Sequence, residues 1–145
     1  MSVEENTEVV RERDEAVGAR DWDRFYGTYA ESILTHAPGL QEPLKGIEAF
    51  KGWATTFFDA FGDLKVDIAN SFGQGDWVVV EQEVGGTHTG TLVNPDGSEV
   101  PPTNKTVKFW SADIVKVEGG KITEQRIYFD NLGFMAQLGL VPEDE

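Results

Sequence analysis

At Leu64 the hydrophobic period of this chain changes, and no other feature limits its possible folds so strongly. Before that point apolar residues recur every three or four positions; after it they alternate in runs bounded by turn formers. Residues 4–19 read as a polar, charged helix with Val9, Val10, Ala16 and Val17 as its apolar positions, its charge run forming a solvated face. Asp21 is placed to cap a second, short helix, WDRFYGTYA, whose Trp22, Phe25, Tyr26 and Tyr29 recur at helical spacing. An extended piece, SILTHAPG, is broken by Pro38 and Gly39. A third helix starts near Gly46, with Ile47, Phe50, Ala54, Phe57, Phe58 and Phe61 as its stripe, and ends at Gly62 and Asp63.

Four strand-like runs follow: LKVDIANSF, WVVVEQEVGGTHTGTL, KTVKFWSADIVKV and KITEQRIYFD. Their connections, GQGD, NPDGSEVPPTN and EGGK, are rich in residues that make hairpin turns, and a short helix, NLGFMAQLG, closes the pattern. Helices followed by an antiparallel meander imply an α+β fold, one domain over 1–145, with helices laid across one face of a curved sheet. In the last hairpin, Gly119-Gly120 suits a two-residue turn with positive φ. A regular register from that turn sets Val117 opposite Ile122 and Asp113 opposite Arg126, so that Asp113, Arg126 and Asp130 share a face. Trp110, Ile127 and Phe129 then fall on the other face, an apolar surface that suits a homodimer.

Charge and composition exclude several classes of function. The chain has 26 acidic against 12 basic residues, a formal net charge of −14, which disfavours binding to nucleic acid or to anionic membranes. With Cys 0, disulfides, thiolate chemistry and Cys-based zinc sites fall away together. No apolar run is long enough to span a membrane and the start is acidic, so the expectation is a cytoplasmic protein. Its aromatic content of 11% supplies bulk for a core and for an apolar pocket.

Several short motifs, in order, resemble a known family: GTHTG at 86–90, GKI at 120–122, YFDNL at 128–132 and QLG at 137–139. Together with the order of elements they resemble the SnoaL-like polyketide cyclases, relatives of ketosteroid isomerase and limonene epoxide hydrolase. The resemblance implies a cone-shaped α+β fold around a deep apolar pocket, and an enzyme that needs no cofactor. It further implies cyclase-like or isomerase-like proton transfer on a small hydrophobic carbonyl compound. The family's acid/base Asp, at the end of the last long strand, matches Asp130. Epoxide hydrolysis, with Asp130 activating water, is an alternative, but the strand that would carry its arginine reads VVVEQEV. A non-catalytic binding module or a dimerisation module is another.

The candidate catalytic residues are therefore Asp130 and His36, with Arg126, His88, Tyr128, Asp113, Trp53 and Tyr29 as candidate substrate-binding residues and no metal site expected. Each also has a plainer role. Asp130 precedes a helix it can cap, Arg126 can pair with Asp113 and Glu124, and aromatic residues belong first of all to the core.

Overall fold

The computed structural model describes residues 2–141. Helix α1 (Val3–Gly18) begins with a capping box: the Glu5 amide donates to Ser2 Oγ at 3.1 Å and the Ser2 amide donates to Glu5 Oε1 at 3.2 Å. Asp21 caps α2 (Trp22–Gly27), accepting from the Arg24 amide at 3.1 Å, as the sequence predicts. That helix stops at Gly27, so Tyr29 begins strand β1 (Tyr29–His36) instead of extending a helical stripe. Strand β2 (Leu44–Lys45) and helix α3 (Ile47–Ala60) follow.

The second half contains β3 (Lys65–Gln74), β4 (Trp77–Thr87), a small hairpin of β5 (Leu92–Val93) and β6 (Glu99–Val100), β7 (Thr106–Glu118), β8 (Lys121–Phe129) and α4 (Asn131–Gln137). The fold class is α+β. A six-stranded, unclosed sheet runs in the order β2-β1-β8-β7-β4-β3, antiparallel except where β1 lies parallel to β8. That parallel pair lies outside the expected meander. A connection through helix α3 and most of the sheet separates the two strands, and periodicity carries no information on such a long return. The run expected as WVVVEQEVGGTHTGTL ends as a strand at Thr87. Beyond it the chain leaves the sheet, and the Thr89 and Gly90 amides donate to the Ala60 carbonyl at 3.0 and 3.1 Å.

Helices cover one face of the sheet. The buried side chains of β4, β7 and β8 point towards them: Val78, Val80, Gln82 and Val84, then Val107, Ser111, Asp113, Val115 and Val117, then Ile122 and Gln125. Phe25, Phe50, Ala54 and Phe61 meet them from the helical side. The opposite face is left to solvent.

One irregularity decides which residues reach the covered face. Gly119 and Gly120 form the expected turn with φ of 58° and 78°, and Val117 does pair with Ile122. The next pair, however, is Lys116 with Glu124, so Thr123 is an extra residue, a β-bulge. From there on the register is shifted by one: Asp113 pairs with Ile127, and Arg126 pairs with Ile114. The expected register is corrected accordingly. Asp113 and Arg126 lie on opposite faces, while Ile127 and Phe129 turn inward with Asp113 and only Trp110 of the predicted apolar trio stays outside. The bulge also explains why Ile122 and Gln125, of opposite parity in the sequence, share the buried face.

Candidate functional site

Between the helices and the inner face of the sheet lies a cavity of about 150 Å³. Its walls are aromatic. Tyr29 and Phe50 meet with ring centroids 4.7 Å apart, Phe25 and Phe58 at 5.4 Å, and Phe109 and Phe129 at 5.3 Å. Trp53 and Phe57 of α3, with Leu64, Val66, Val84 and Ile127 of the sheet side, complete the apolar lining.

Against this lining sits a cluster of buried polar groups. Asp113 is 4% exposed and Arg13, from α1, is 3% exposed. Arg13 Nη2 donates to Asp113 Oδ2 at 3.1 Å and Arg13 Nε donates to Asp14 Oδ1 at 2.9 Å, so one guanidinium bridges two carboxylates. Gln82 Nε2 donates to Asp113 Oδ2 at 3.1 Å and Ser111 Oγ to Asp113 Oδ1 at 3.1 Å. A second chain runs alongside. Tyr29 Oη donates to Gln125 Oε1 at 3.2 Å and Gln125 Nε2 donates to Thr35 Oγ1 at 3.0 Å. Asp14 Oδ2 and Gln82 Oε1, on residues that line the cavity, accept no hydrogen bond from the protein.

Burial sets the electrostatics of this cluster. Desolvation pushes the Asp113 carboxyl above the usual carboxylate range and the Asp14 charge adds to that, while the Arg13 charge and the Ser111 hydrogen bond pull the other way. Burial disfavours the Arg13 cation, but the neighbouring Asp14, Tyr29 and Asp113 more than offset it, and the guanidinium stays protonated. The Tyr29 phenol is raised, first by burial, and serves as a neutral donor. A carboxyl of raised pKa, held in place by three donors and facing an apolar chamber, is suited to taking up and returning a proton.

Of the predicted residues, Asp113, Tyr29 and Trp53 line this cavity. The others lie elsewhere. Asp130 is exposed at the N-terminus of α4, where its Oδ1 accepts from the Gly133 amide at 2.9 Å. Arg126, on the outer face because of the bulge, donates to Glu124 at 2.8 Å, and its guanidinium stands 5.5 Å from the Trp77 ring centroid. His36 pairs with Arg126 in the β1–β8 ladder and its Nε2 is 3.6 Å from Glu124 Oε2, again on the outer face. Tyr128 is 52% exposed there. His88 is fully buried but apart from the chamber. It stacks on Phe61 at 5.3 Å, and its Nδ1 accepts from the Thr103 amide at 3.2 Å, so it ties down the segment between Thr87 and Thr106. Burial lowers its pKa.

Sequence reading passed over Arg13, Asp14, Gln82, Ser111 and Gln125. The signal was present for the first two. Val10, Arg13, Asp14 and Val17 follow the i, i+3, i+4, i+7 spacing of one helix face, so the two charges stand in the apolar stripe of α1. Gln82 likewise interrupts the buried row Val78, Val80, Gln82, Val84. Among the described residues no group of three or more His, Cys, Asp or Glu could hold a metal ion, and no helix is long and apolar enough to cross a membrane.

Comparison with known proteins bears on this geometry. No curated protein matches the chain in sequence. Among solved structures, a protein from Jannaschia sp. CCS1 named for its likeness to SnoaL-like polyketide cyclases is 28% identical, with a TM-score of 0.82 over 95% of this chain and 94% of that one. A protein of ketosteroid isomerase-like fold from Catenulispora acidiphila, solved in complex with trimethylamine, is 20% identical, with a TM-score of 0.73 over 92% of this chain and 94% of that one. An epoxide hydrolase from M. tuberculosis, like limonene epoxide hydrolase, is 20% identical, with a TM-score of 0.68 over 94% and 90%. The last two likenesses concern the fold alone. The sequence model of the SnoaL-like polyketide cyclases matches residues 7–138, nearly the whole described chain, and with the shared fold this establishes that the protein belongs to the SnoaL-like polyketide cyclase family.

Proposed function

We propose that the protein is an acid/base enzyme acting on a small hydrophobic carbonyl compound, with Asp113 as the group that carries the proton. The observation that supports this most is a buried carboxyl of raised pKa, held by Arg13, Gln82 and Ser111 at an aromatic cavity. In its ionised form Asp113 takes a proton from a carbon next to the carbonyl; the electron pair of that C–H bond forms a C=C bond and the carbonyl π pair moves to oxygen, giving an enolate. Arg13 lies close enough to offset part of the enolate charge. Return of the proton to a different carbon gives an isomer; attack of the enolate carbon on a second carbonyl of the same molecule closes a ring, the π pair of that carbonyl moving to its oxygen, which takes the proton back from Asp113 as a hydroxyl. The chemistry is complete with the protein's own groups.

Asp113→Asn tests this, because Asn preserves the shape of the side chain but cannot take up a proton at neutral pH. With a carbonyl substrate found by ligand screening, turnover should fall by about 10²–10⁴. Asp130→Asn, which preserves a capping side chain, should leave turnover near the parent value. Loss of turnover in the Asp130 variant with retention in the Asp113 variant would return the acid/base role to Asp130 and overturn the assignment made here.

We also infer that the protein self-associates through the outer face of the sheet. Trp110 is 60%, Phe72 56% and Tyr128 52% exposed on that face. On a chain of net charge −14, the outward positions of β4, β7 and β8 balance Glu81, Glu83 and Glu124 with Lys108, Lys116 and Arg126, so two copies can approach there without net repulsion. Sedimentation should give a dimer at micromolar concentration and a monomer for Trp110→Glu. A monomeric parent across that range would count against the inference.

A further inference from the structure

The two oxygens of Asp113 are held unequally. Oδ2 accepts from both Arg13 Nη2 and Gln82 Nε2, each at 3.1 Å, while among the described residues Oδ1 accepts from Ser111 Oγ alone. Two donors, one of them a cation, make Oδ2 the poorer base, so an incoming proton settles on Oδ1. Ser111 is then the group that must adjust. Its single hydroxyl hydrogen is free to turn about the Cβ–Oγ bond, and among the described residues its oxygen accepts no hydrogen bond. Alternation along β7 sets Phe109, Ser111 and Asp113 in one row, and all three line the cavity, with Phe129, another lining residue, opposite Ser111 in the ladder. A protonated Asp113 leaves Arg13 matched to Asp14, with which it pairs at 2.9 Å. An enolate in the chamber therefore gains from a further, neutral donor.

We propose that Ser111 is a second catalytic residue, whose hydroxyl reverses its role within each turnover. While Asp113 is ionised the hydroxyl donates to Oδ1, as in the structure. Once Oδ1 has taken the proton of the substrate's C–H bond it is a poor acceptor. The serine hydrogen then turns into the cavity and donates to the enolate oxygen, while Ser111 Oγ accepts from the new O–H of Asp113. Ser111 keeps its own hydrogen throughout, and the only proton transferred is the one that Asp113 carries. The reverse rotation accompanies its return, so the donor is offered only while the substrate oxygen holds charge. This rests on the reading of Asp113 as the acid/base group and adds to it the donor that its protonation releases.

The test is calorimetry on the parent, Ser111→Ala and Ser111→Thr with two one-ring probes. 4-Nitrophenolate carries an anionic oxygen that stands in for the enolate oxygen; nitrobenzene lacks it. The parent should take up one proton on binding the phenolate, read from the dependence of the heat on the buffer. Ser111→Ala loses one hydrogen bond in the free protein and two in the complex, so it should bind the phenolate about tenfold more weakly. Ser111→Thr retains a hydroxyl and should stay close to the parent, and nitrobenzene should bind all three alike. Equal phenolate affinity in the parent and Ser111→Ala, with the proton still taken up, would overturn the role of Ser111 and leave the reading of Asp113 standing. Equal weakening of both probes would reduce Ser111 to a packing residue. Phenolate binding without proton uptake, or no binding of either probe, would remove the reading of Asp113 as well. If Ser111→Ala does not fold, Ser111→Cys, a weaker donor, serves for the same comparison.

Discussion

Replacing Arg13 by Met removes the one cation of the buried cluster and isolates its two acids. Arg13 is 3% exposed and donates to Asp14 at 2.9 Å and to Asp113 at 3.1 Å. Breaking a buried pair by removing one partner typically costs about 3–5 kcal/mol. At about 4 °C per kcal/mol for a chain near this size, the melting temperature should fall by about 12–20 °C. The loss should depend on pH with a definite sign. Asp113 already has a raised pKa in the folded state, and without Arg13 it rises further. A carboxyl raised on folding contributes stability that is fully present below its unfolded pKa, about 3.9, and is lost as pH rises through the folded value. The gap between parent and variant should therefore be widest at neutral pH and should narrow towards pH 4. Urea denaturation of both proteins at a series of pH values measures it. A double variant, Arg13→Met with Asp113→Leu, should recover about half of the loss or more, since an apolar replacement for the whole pair is often tolerated. A cost below about 1 kcal/mol that does not vary with pH would refute the picture of a desolvated cluster.

Two further perturbations probe the segment that leaves β4. His88 is buried with a lowered pKa, so the unfolded chain binds its proton more readily; stability should fall as pH drops through about 6.5, and His88→Gln should flatten that slope in urea midpoints. Gly90 approaches α3 so closely that an added Cβ would lie 2.3 Å from the Asp59 carbonyl oxygen; Gly90→Ala should cost about 1–3 kcal/mol, read from the same midpoints.

The change of period at Leu64 made the order of helices and strands legible, and the Gly119-Gly120 pair made the last turn legible. What could not be read was Thr123. A bulge is one residue with no distinctive side-chain chemistry, and nothing in KITEQRIYFDN shows that Thr123 is unpaired while Gln125 is inward. Regular alternation therefore brought Arg126 to Asp113 in the sequence, and the structure separates them. The parallel β1–β8 pairing escaped for another reason. It joins segments about ninety residues apart, and no local pattern encodes which strand edge a distant strand will choose. Asp130, at the end of β8, was legible as a helix cap as well as through resemblance, and it does cap α4. Arg13 and Asp14 were legible in principle, because two charges in a helix's apolar stripe must either be solvated or be met by partners.

Those partners come late. Arg13 and Asp113 are 100 positions apart, so during synthesis α1 emerges long before β7 exists to receive it. The core-facing side of α1 carries not an unbroken apolar strip but two opposite charges, Arg13 and Asp14, hydrogen-bonded to each other in the finished fold. The second carboxylate that Arg13 binds is absent until β7 has been made. The chamber is thus closed by residues from distant parts of the sequence, and its polar cluster can be completed only once β7 has been made.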